Sequence, residues 1–145
     1  LNLSNNQLTE LPESIGSLTE LQELRLNNNQ LAGLPESFRN LRKIERINLS
    51  KNQLAWLPKS IGKLTELERL DMSNNQLTKI PESIGKLVKL EWLYLSNNEL
   101  IELPESFGNL VKLELLDLDN NRITEIPECL NGIKSLKEFQ LNINC

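Results

Sequence analysis

The side chains that could perform catalysis or bind metal are few in this chain. There is no histidine, and the two cysteines, Cys129 and Cys145, lack the close spacing of a zinc site or a disulfide framework. Asp71, Asp117 and Asp119 offer oxygen ligands, but the spacing of a calcium loop is absent around them. The chain also has no phosphate-binding glycine loop and no nucleophile elbow. The sequence therefore predicts no catalytic residue, no metal, no cofactor and no enzyme.

The chemistry that remains is recognition through aromatic and arginine side chains. Trp92 and Tyr94 flank Leu93 in the stretch EWLYLSNNEL, and the whole chain has only two tryptophans and one tyrosine. Protein interfaces are enriched in Trp, Tyr and Arg at the positions that contribute most to binding. These two rings bear on function only if the fold places them on its surface, so the elements that carry them have to be identified first.

Composition indicates a folded domain with no strong electrostatic preference. The chain has 145 residues, 39% hydrophobic and 25% charged, and a net charge of −4 with acids and bases interleaved. We therefore expect neither nucleic acid nor an anionic membrane as a partner. No apolar run approaches the roughly 20 residues that span a bilayer, so no membrane insertion is expected. The few cysteines favour a cytoplasmic location, and a secreted or cell-surface location is the alternative if a signal segment precedes Leu1.

One 23-residue unit is repeated along the chain. Copies start at Leu1, Leu24, Ile47, Leu70, Leu93 and Leu116, and a truncated copy starts at Phe139. The shared pattern is L-x-L-x-x-N-x-L-x-x-L-P-x-x-I-G-x-L-x-x-L. These copies predict a single domain over residues 1–145. Because both ends lack polar capping repeats, we expect this domain to be an excerpt of a longer array.

Each unit predicts a strand followed by a helical turn. The alternation in Leu70-Asp71-Met72 is typical of a strand with one buried face. The following Pro-Glu-Ser-Ile-Gly segment predicts a short helical turn that begins at the proline, has an acid near its positive end and stops at the glycine. A single unit cannot bury enough apolar surface to be stable, so neighbouring units must stack.

This pattern resembles the leucine-rich repeat family in its 23-residue form, with L-P-x-x-I after the asparagine. It is similar to the repeats of Ras-pathway scaffold proteins, plant intracellular Ras-group proteins and bacterial repeat proteins, including those of spirochaetes. The resemblance covers the whole chain and implies an α/β fold, a right-handed horseshoe solenoid. It places a parallel sheet on the concave face and short helical turns or 3-10 segments on the convex face. It also implies that the usual function is protein–protein interaction. The candidate partner is a small GTPase or its regulator if the source is eukaryotic, and a host or envelope protein is the alternative for a bacterial source.

Several recurring residues are explained by the fold alone. The asparagines sit where the chain leaves each strand in a tight bend, and their amides are expected to bond to the backbone of that bend. They are Asn6, Asn29, Asn52, Asn75, Asn98, Asn121 and Asn144. The three phenylalanines, Phe38, Phe107 and Phe139, also fall on positions that the pattern assigns to the core.

Residues that flank the strand leucines should point away from the core onto the open face of the sheet. The candidate partner-binding residues at such positions are Arg46, Arg69, Asp71, Trp92, Tyr94, Leu115 and Asp117. Because parallel strands lie roughly 4.8 Å apart, we expect Arg69 to contact Trp92 through a cation–π interaction. Asp71 and Asp117 should then flank Tyr94. The alternative is that these side chains only pack laterally on one another.

The other tryptophan, Trp56, lies outside the strands. We expect its ring to cover Gly33, with Lys79 beside it, and to fill space there; a second partner contact is the alternative.

The sequence as a whole predicts a non-catalytic module that binds another protein on its concave sheet. Two alternatives remain at this point. In the first alternative, the chain is the sensor or targeting segment of a multidomain signalling enzyme. In the second, it is a structural repeat that self-associates.

Overall fold

The computed structural model describes residues 1–142 as six short β-strands that alternate with six 3-10 helices. The strands are β1 (Glu23–Arg25), β2 (Arg46–Asn48), β3 (Arg69–Asp71), β4 (Trp92–Tyr94), β5 (Leu115–Asp117) and β6 (Glu138–Gln140). The 3-10 helices are Glu13–Ser17, Glu36–Asn40, Lys59–Lys63, Glu82–Lys86, Glu105–Asn109 and Glu128–Gly132. Asn144 and Cys145 lie outside the described residues. Within residues 1–142 no helix has the length and apolar character needed to cross a membrane.

The strands form one parallel sheet in the order β1-β2-β3-β4-β5-β6. Each strand pairs with the next at an offset of one repeat, so that Arg69 is the partner of Trp92 and Leu70 the partner of Leu93. Near the start of the chain, Asn2 makes an isolated parallel bridge to Arg25. The parallel sheet, with a 3-10 helix between successive strands, confirms the predicted layers.

The core lies between the sheet and the 3-10 helices. The inward residues of β3 and its continuation, Leu70 and Met72, are fully buried, as is Ile84 of the following 3-10 helix. Strands contact neighbouring strands and helices contact neighbouring helices, in each case from successive repeats. Burial of these aliphatic side chains is therefore shared between neighbours, as expected for a stacked array.

The asparagine ladder satisfies the backbone of the bend, as predicted. The Nδ2 group of Asn75 donates to the carbonyl oxygens of Leu49 and Met72, both at 3.0 Å. Its Oδ1 atom accepts from the backbone N–H of Leu54 at 3.0 Å. Equivalent bonds are made by Asn29, Asn52, Asn98 and Asn121. Each of these amides thus joins two successive repeats.

In the described residues, the residue before each of six ladder asparagines adopts the left-handed backbone conformation, which was not predicted from the sequence. The φ values lie between 55° and 57°. The residues are Asn5, Asn28, Lys51, Asn74, Asn97 and Asn120. Asparagine tolerates this conformation better than other residues with a side chain, which accounts for the Asn-Asn pairs of the pattern.

The role predicted for the glycine after Pro-Glu-Ser-Ile is wrong. Gly62 lies inside the 3-10 helix Lys59–Lys63 rather than at its end, and no glycine in the described residues has a positive φ. A Cβ atom on Gly62 would lie 2.6 Å from the carbonyl oxygen of Ser83 in the next repeat. Glycine is therefore required by the close approach of successive helices and not by helix termination.

Two of the three phenylalanines are core residues as predicted. Phe38 and Phe107 are 2% and 0% exposed, whereas Phe139 is 37% exposed. Phe139 lies on β6, which within residues 1–142 pairs only with β5. Its ring therefore has a neighbouring repeat on one side only, and its assignment to the core was wrong.

Candidate functional site: the open face of the sheet

The seven candidate residues lie on four neighbouring strands and form two rows. Arg46, Arg69, Trp92 and Leu115 follow one another across β2 to β5. Asp71, Tyr94 and Asp117 form the second row across β3 to β5. Arg46 is exposed and the other six residues are half-buried. We refer to these seven residues as the sheet patch.

The centre of the sheet patch is a stacked pair. The guanidinium carbon of Arg69 lies 3.5 Å from the centroid of the Trp92 ring, so the predicted cation–π contact is present. Such a contact is worth about 0.5–2 kcal/mol, depending on how much water is excluded. Stacking also restricts both side chains to one arrangement before any partner arrives.

The two aspartates of the patch flank Tyr94, as expected, and they also have a structural role. Oδ1 of Asp71 accepts hydrogen bonds from the backbone N–H of Ser73 at 3.0 Å and from its hydroxyl at 2.7 Å. Oδ1 of Asp117 accepts from the backbone N–H of Asp119 at 3.1 Å. Asn48 makes the same bonds to Ser50 with an uncharged amide. The turn therefore needs the side-chain oxygen and not the negative charge.

Sequence reasoning missed Arg25 and Glu23 at the edge of this surface. Nε of Arg25 donates to Oε1 of Glu23 at 2.7 Å, and this hydrogen bond lowers the pKa of the Glu23 carboxyl. Both residues flank Leu24 of β1 in the same way that Trp92 and Tyr94 flank Leu93. The alternation rule, applied to the first strand as well, would have found them.

Three adjoining depressions run along the open face. One, of about 320 Å³, is lined by Arg25, Arg46 and Arg69 together with Glu23, Asn27 and Asn48. A second, of about 390 Å³, shares these arginines and reaches Glu68, Glu91 and Trp92. A third, of about 210 Å³, lies between Trp92, Tyr94 and Leu115, with Glu114, Lys137 and Glu138. Trp92 thus separates an arginine-lined region from an apolar region.

A further depression lies away from the sheet, next to Cys129. It has a volume of about 320 Å³ and is lined by Ile101, Ile123 and four glutamates, Glu102, Glu105, Glu125 and Glu128. Burial, with a contribution from the Glu105 carboxylate, raises the pKa of the Cys129 thiol. A raised thiol pKa leaves little thiolate at neutral pH, which makes Cys129 a poor nucleophile. Among residues 1–142, no group of three or more His, Cys, Asp or Glu side chains is arranged to hold a metal ion.

The indole of Trp56 lies beside Gly33, as predicted. Its Cζ2 atom is 3.6 Å from the position that a Cβ atom on Gly33 would occupy. The side chain is nevertheless 54% exposed, so it fills the gap only with one edge. Trp56 therefore presents a separate aromatic surface outside the sheet patch.

Solved structures support the same fold. A leucine-rich repeat protein of Leptospira interrogans is 34% identical to this chain and superposes with a TM-score of 0.92. The match covers 96% of this chain and 36% of the Leptospira protein. An internalin, InlF of Listeria monocytogenes, is 26% identical with a TM-score of 0.79, and the match covers 92% of this chain and 38% of the internalin. The plant peptide hormone receptor RGFR1, solved in complex with RGF2, is 38% identical with a TM-score of 0.82. The match covers 92% of this chain and 22% of the receptor.

The chain thus spans well under half the length of each of these three proteins. A search of curated protein sequences gave no match. The family model described as a leucine-rich repeat region matches residues 1–76 and 70–144. Together these two matches cover almost the whole sequence, and the chain belongs to the leucine-rich repeat family.

Proposed function

We propose that this chain is a non-catalytic recognition module that binds a partner protein on the open face of its sheet. The observation that carries the proposal is the Arg69–Trp92 stack in the middle of a half-buried aromatic and apolar strip. Trp92, Tyr94 and Leu115 would be buried by the partner. Arg46, Arg69, Asp71 and Asp117 would orient it through charge. Interfaces of this kind have aromatic and arginine anchors surrounded by polar groups.

The relatives support a binding function of this type. The receptor RGFR1 was solved in complex with the peptide RGF2, so one structural relative of this chain holds a polypeptide ligand. Fold similarity does not identify the partner of this chain, because repeat proteins share a scaffold and differ in the residues of their surfaces. A small GTPase or its regulator, suggested by the sequence resemblance, stays a prediction.

The test is a pull-down from lysate of the source cells with the 145-residue chain and three variants. In the Trp92→Ala/Tyr94→Ala variant we expect loss of the captured partner. Trp56→Ala is the matched control, because it removes an exposed indole outside the sheet patch. Asp71→Asn keeps the hydrogen bond to Ser73 and removes only the charge. Equal recovery by all variants, with circular dichroism showing that each is folded, would rule out the sheet patch as the binding site.

Two other hypotheses make different predictions. If these side chains only stabilise the sheet by lateral packing, Trp92→Ala/Tyr94→Ala lowers the melting temperature without changing partner recovery. If the chain self-associates through this face, light scattering shows a larger mass for the natural sequence than for the variant. A role as the targeting segment of a multidomain enzyme would place the same partner contact in a longer protein.

A further inference from the structure

The three arginines at one end of the open face have no complete explanation in the fold. Arg46 and Arg69 are register partners on β2 and β3, and like charges opposite each other on neighbouring strands are destabilising. Arg25 is neutralised by its ion pair with Glu23. Among residues 1–142, neither Arg46 nor Arg69 makes an ion pair or a side-chain hydrogen bond. Two adjacent guanidinium groups are therefore available to an outside anion.

The surroundings of these arginines fit a carboxylate. The first depression, lined by Arg25, Arg46 and Arg69, contains one acidic side chain, Glu23, which is already paired with Arg25. The second depression shares these arginines but also contains Glu68 and Glu91, so the carboxylate is assigned to the first depression. Asn48 in the same depression uses its Oδ1 atom for Ser50, and its amide nitrogen has no acceptor within the described part of the chain. The face of the Arg69 guanidinium rests on Trp92, which leaves the N–H groups at the edge of this planar group to make paired hydrogen bonds to a carboxylate.

The charge reverses on the other side of Trp92. The third depression offers Tyr94 and Leu115 as apolar walls, and Glu138 beyond them has no ion pair among residues 1–142. Glu114 is paired with Lys137 at 2.8 Å. Asp117 uses one oxygen in its turn but keeps its negative charge. Along the row Arg46, Arg69, Trp92, Leu115 and Glu138, the open face therefore runs from basic at β2 and β3, through apolar at β4 and β5, to acidic at β6.

Resting on the proposed function, we infer that the open face binds an extended polypeptide segment of the partner that crosses the strands with its charges in a fixed order. An Asp or Glu of that segment lies against Arg46 and Arg69. A large apolar side chain lies against Trp92, Tyr94 and Leu115. A Lys or Arg lies against Asp117 and Glu138.

The strand spacing sets the spacing of these three groups. Adjacent strands lie roughly 4.8 Å apart, so β3 and β6 are separated by roughly 14 Å across the sheet. An extended chain advances about 3.3 Å per residue, and the acidic and basic residues are therefore about four or five positions apart. The apolar residue lies between them.

The test uses synthetic peptides and the 145-residue chain carrying Trp56→Phe, so that Trp92 is its only tryptophan. The peptides, synthesised in both chain directions, carry an acid, an apolar residue and a base at the stated spacing. A matched set replaces the acid by glutamine, and a third set replaces it by lysine. Binding is measured by Trp92 fluorescence and by calorimetry. We expect the acid peptides to bind about tenfold or more tightly than the glutamine peptides, with an advantage that falls as salt rises.

A charge exchange makes the assignment specific to Arg46. Arg46→Glu should weaken the acid peptides at least tenfold and should favour the lysine peptides instead. Arg42→Glu is the control: it makes the same change in net charge at an exposed residue outside the strands, and it should leave the acid peptides bound. Circular dichroism verifies that both variants are folded.

Three results would overturn this inference: equal binding of acid and glutamine peptides, equal effects of Arg46→Glu and Arg42→Glu, or no binding by any peptide of the set. None of them removes the proposed function if Trp92→Ala/Tyr94→Ala still abolishes partner recovery. Conversely, if that double variant leaves partner recovery unchanged, the proposed function fails whatever the peptides do. The two proposals are therefore tested separately.

Discussion

At the scale of single residues, Lys51 is the exception in an otherwise regular row. Its φ is 55°, in the left-handed region, where the other five members of the row are asparagines. Two of those asparagine pairs are linked across repeats, by bonds from Asn28 to Asn5 at 2.8 Å and from Asn120 to Asn97 at 3.1 Å. Lysine has neither a suitable local acceptor nor a preference for this backbone conformation.

We therefore predict that Lys51→Asn raises the free energy of unfolding by about 1 kcal/mol, because it removes backbone strain. Urea denaturation followed by circular dichroism measures this. Asn74→Lys is the reverse change in the next repeat and should lower stability by a similar amount. A Lys51→Asn variant that is no more stable than the natural sequence would show that the left-handed residue is not strained.

Cys129 gives a second prediction at this scale. Burial raises the pKa of its thiol, so the thiolate fraction at neutral pH is smaller than for an ordinary cysteine. In a Cys145→Ser background, we expect iodoacetamide to react with folded Cys129 more slowly than with the urea-unfolded chain. The midpoint of the rate against pH should lie above the ordinary thiol value. Equal rates, or a midpoint below that value, would contradict the raised pKa.

At the scale of elements, the stacking of 3-10 helices depends on side-chain size at one position. A Cβ atom on Gly85 would lie 2.5 Å from the carbonyl oxygen of Ser106, whereas one on Gly132 would have no atom within 4 Å in the described part of the chain. Both glycines lie in 3-10 helices, and neither has a positive φ. They therefore differ in packing and not in backbone conformation.

This difference predicts opposite effects of the same substitution. Gly85→Ala should lower the free energy of unfolding by about 1–3 kcal/mol, because the two helices must separate to admit the methyl group. Gly132→Ala should be neutral or raise it by up to about 1 kcal/mol, because alanine reduces the freedom of the unfolded chain. Thermal denaturation of both variants measures the two changes in stability. If both lose the same stability, close approach is not the reason for glycine at position 85.

At the scale of elements, part of the fold could be predicted from the sequence. The 23-residue spacing and the alternation around Leu70 and Leu93 were enough to predict the strands, their parallel neighbours and the Arg69–Trp92 contact. The reason for Gly62 was not visible, because a close approach between helices depends on atoms of the next repeat. The exposure of Phe139 was missed for a related cause: a repeat position becomes buried only where a neighbour covers it.

Charge roles were harder to predict than positions. The sequence placed Asp71 and Asp117 on the open face, but it did not reveal that one carboxylate oxygen of each closes a turn. The arginine-lined depression needs side chains from three strands at once, and Arg25 of β1 was not among the predicted residues. Pairing between side chains depends on their rotamers, which a repeat pattern does not specify.

At the scale of the whole molecule, cohesion is strictly local along the array. Contacts between elements in the described residues occur only between successive repeats. The ladder asparagines connect these repeats through buried hydrogen bonds, and Asn75 joins Leu49, Leu54 and Met72 in this way. Asn6 is exposed, and among residues 1–142 its amide bonds only to Leu3 and Ser4 in its own bend. The same residue type therefore holds two repeats together at position 75 and only one bend at position 6.

This difference predicts how strongly the loss of a ladder asparagine destabilises the array. Asn75→Ala should lower the free energy of unfolding by about 2–4 kcal/mol, since it leaves buried N–H and C=O groups of two repeats without partners. Asn6→Ala should cost about 1 kcal/mol or less, because water can replace its bonds. Gln76→Ala, at an exposed neighbour of Asn75, controls for a change in the same bend.

Hydrogen exchange then locates the effect. In Asn75→Ala, protection should fall first in β2 and β3 and in the bends that follow them, with β5 and β6 affected less, because stability in a stacked array is a sum of neighbour terms. A uniform loss of protection over all six strands would instead indicate that the array unfolds as one cooperative unit. In that case a core substitution that unfolds β2 and β3, which carry Arg46 and Arg69, would also unfold β4 and β5, which carry the apolar part of the sheet patch.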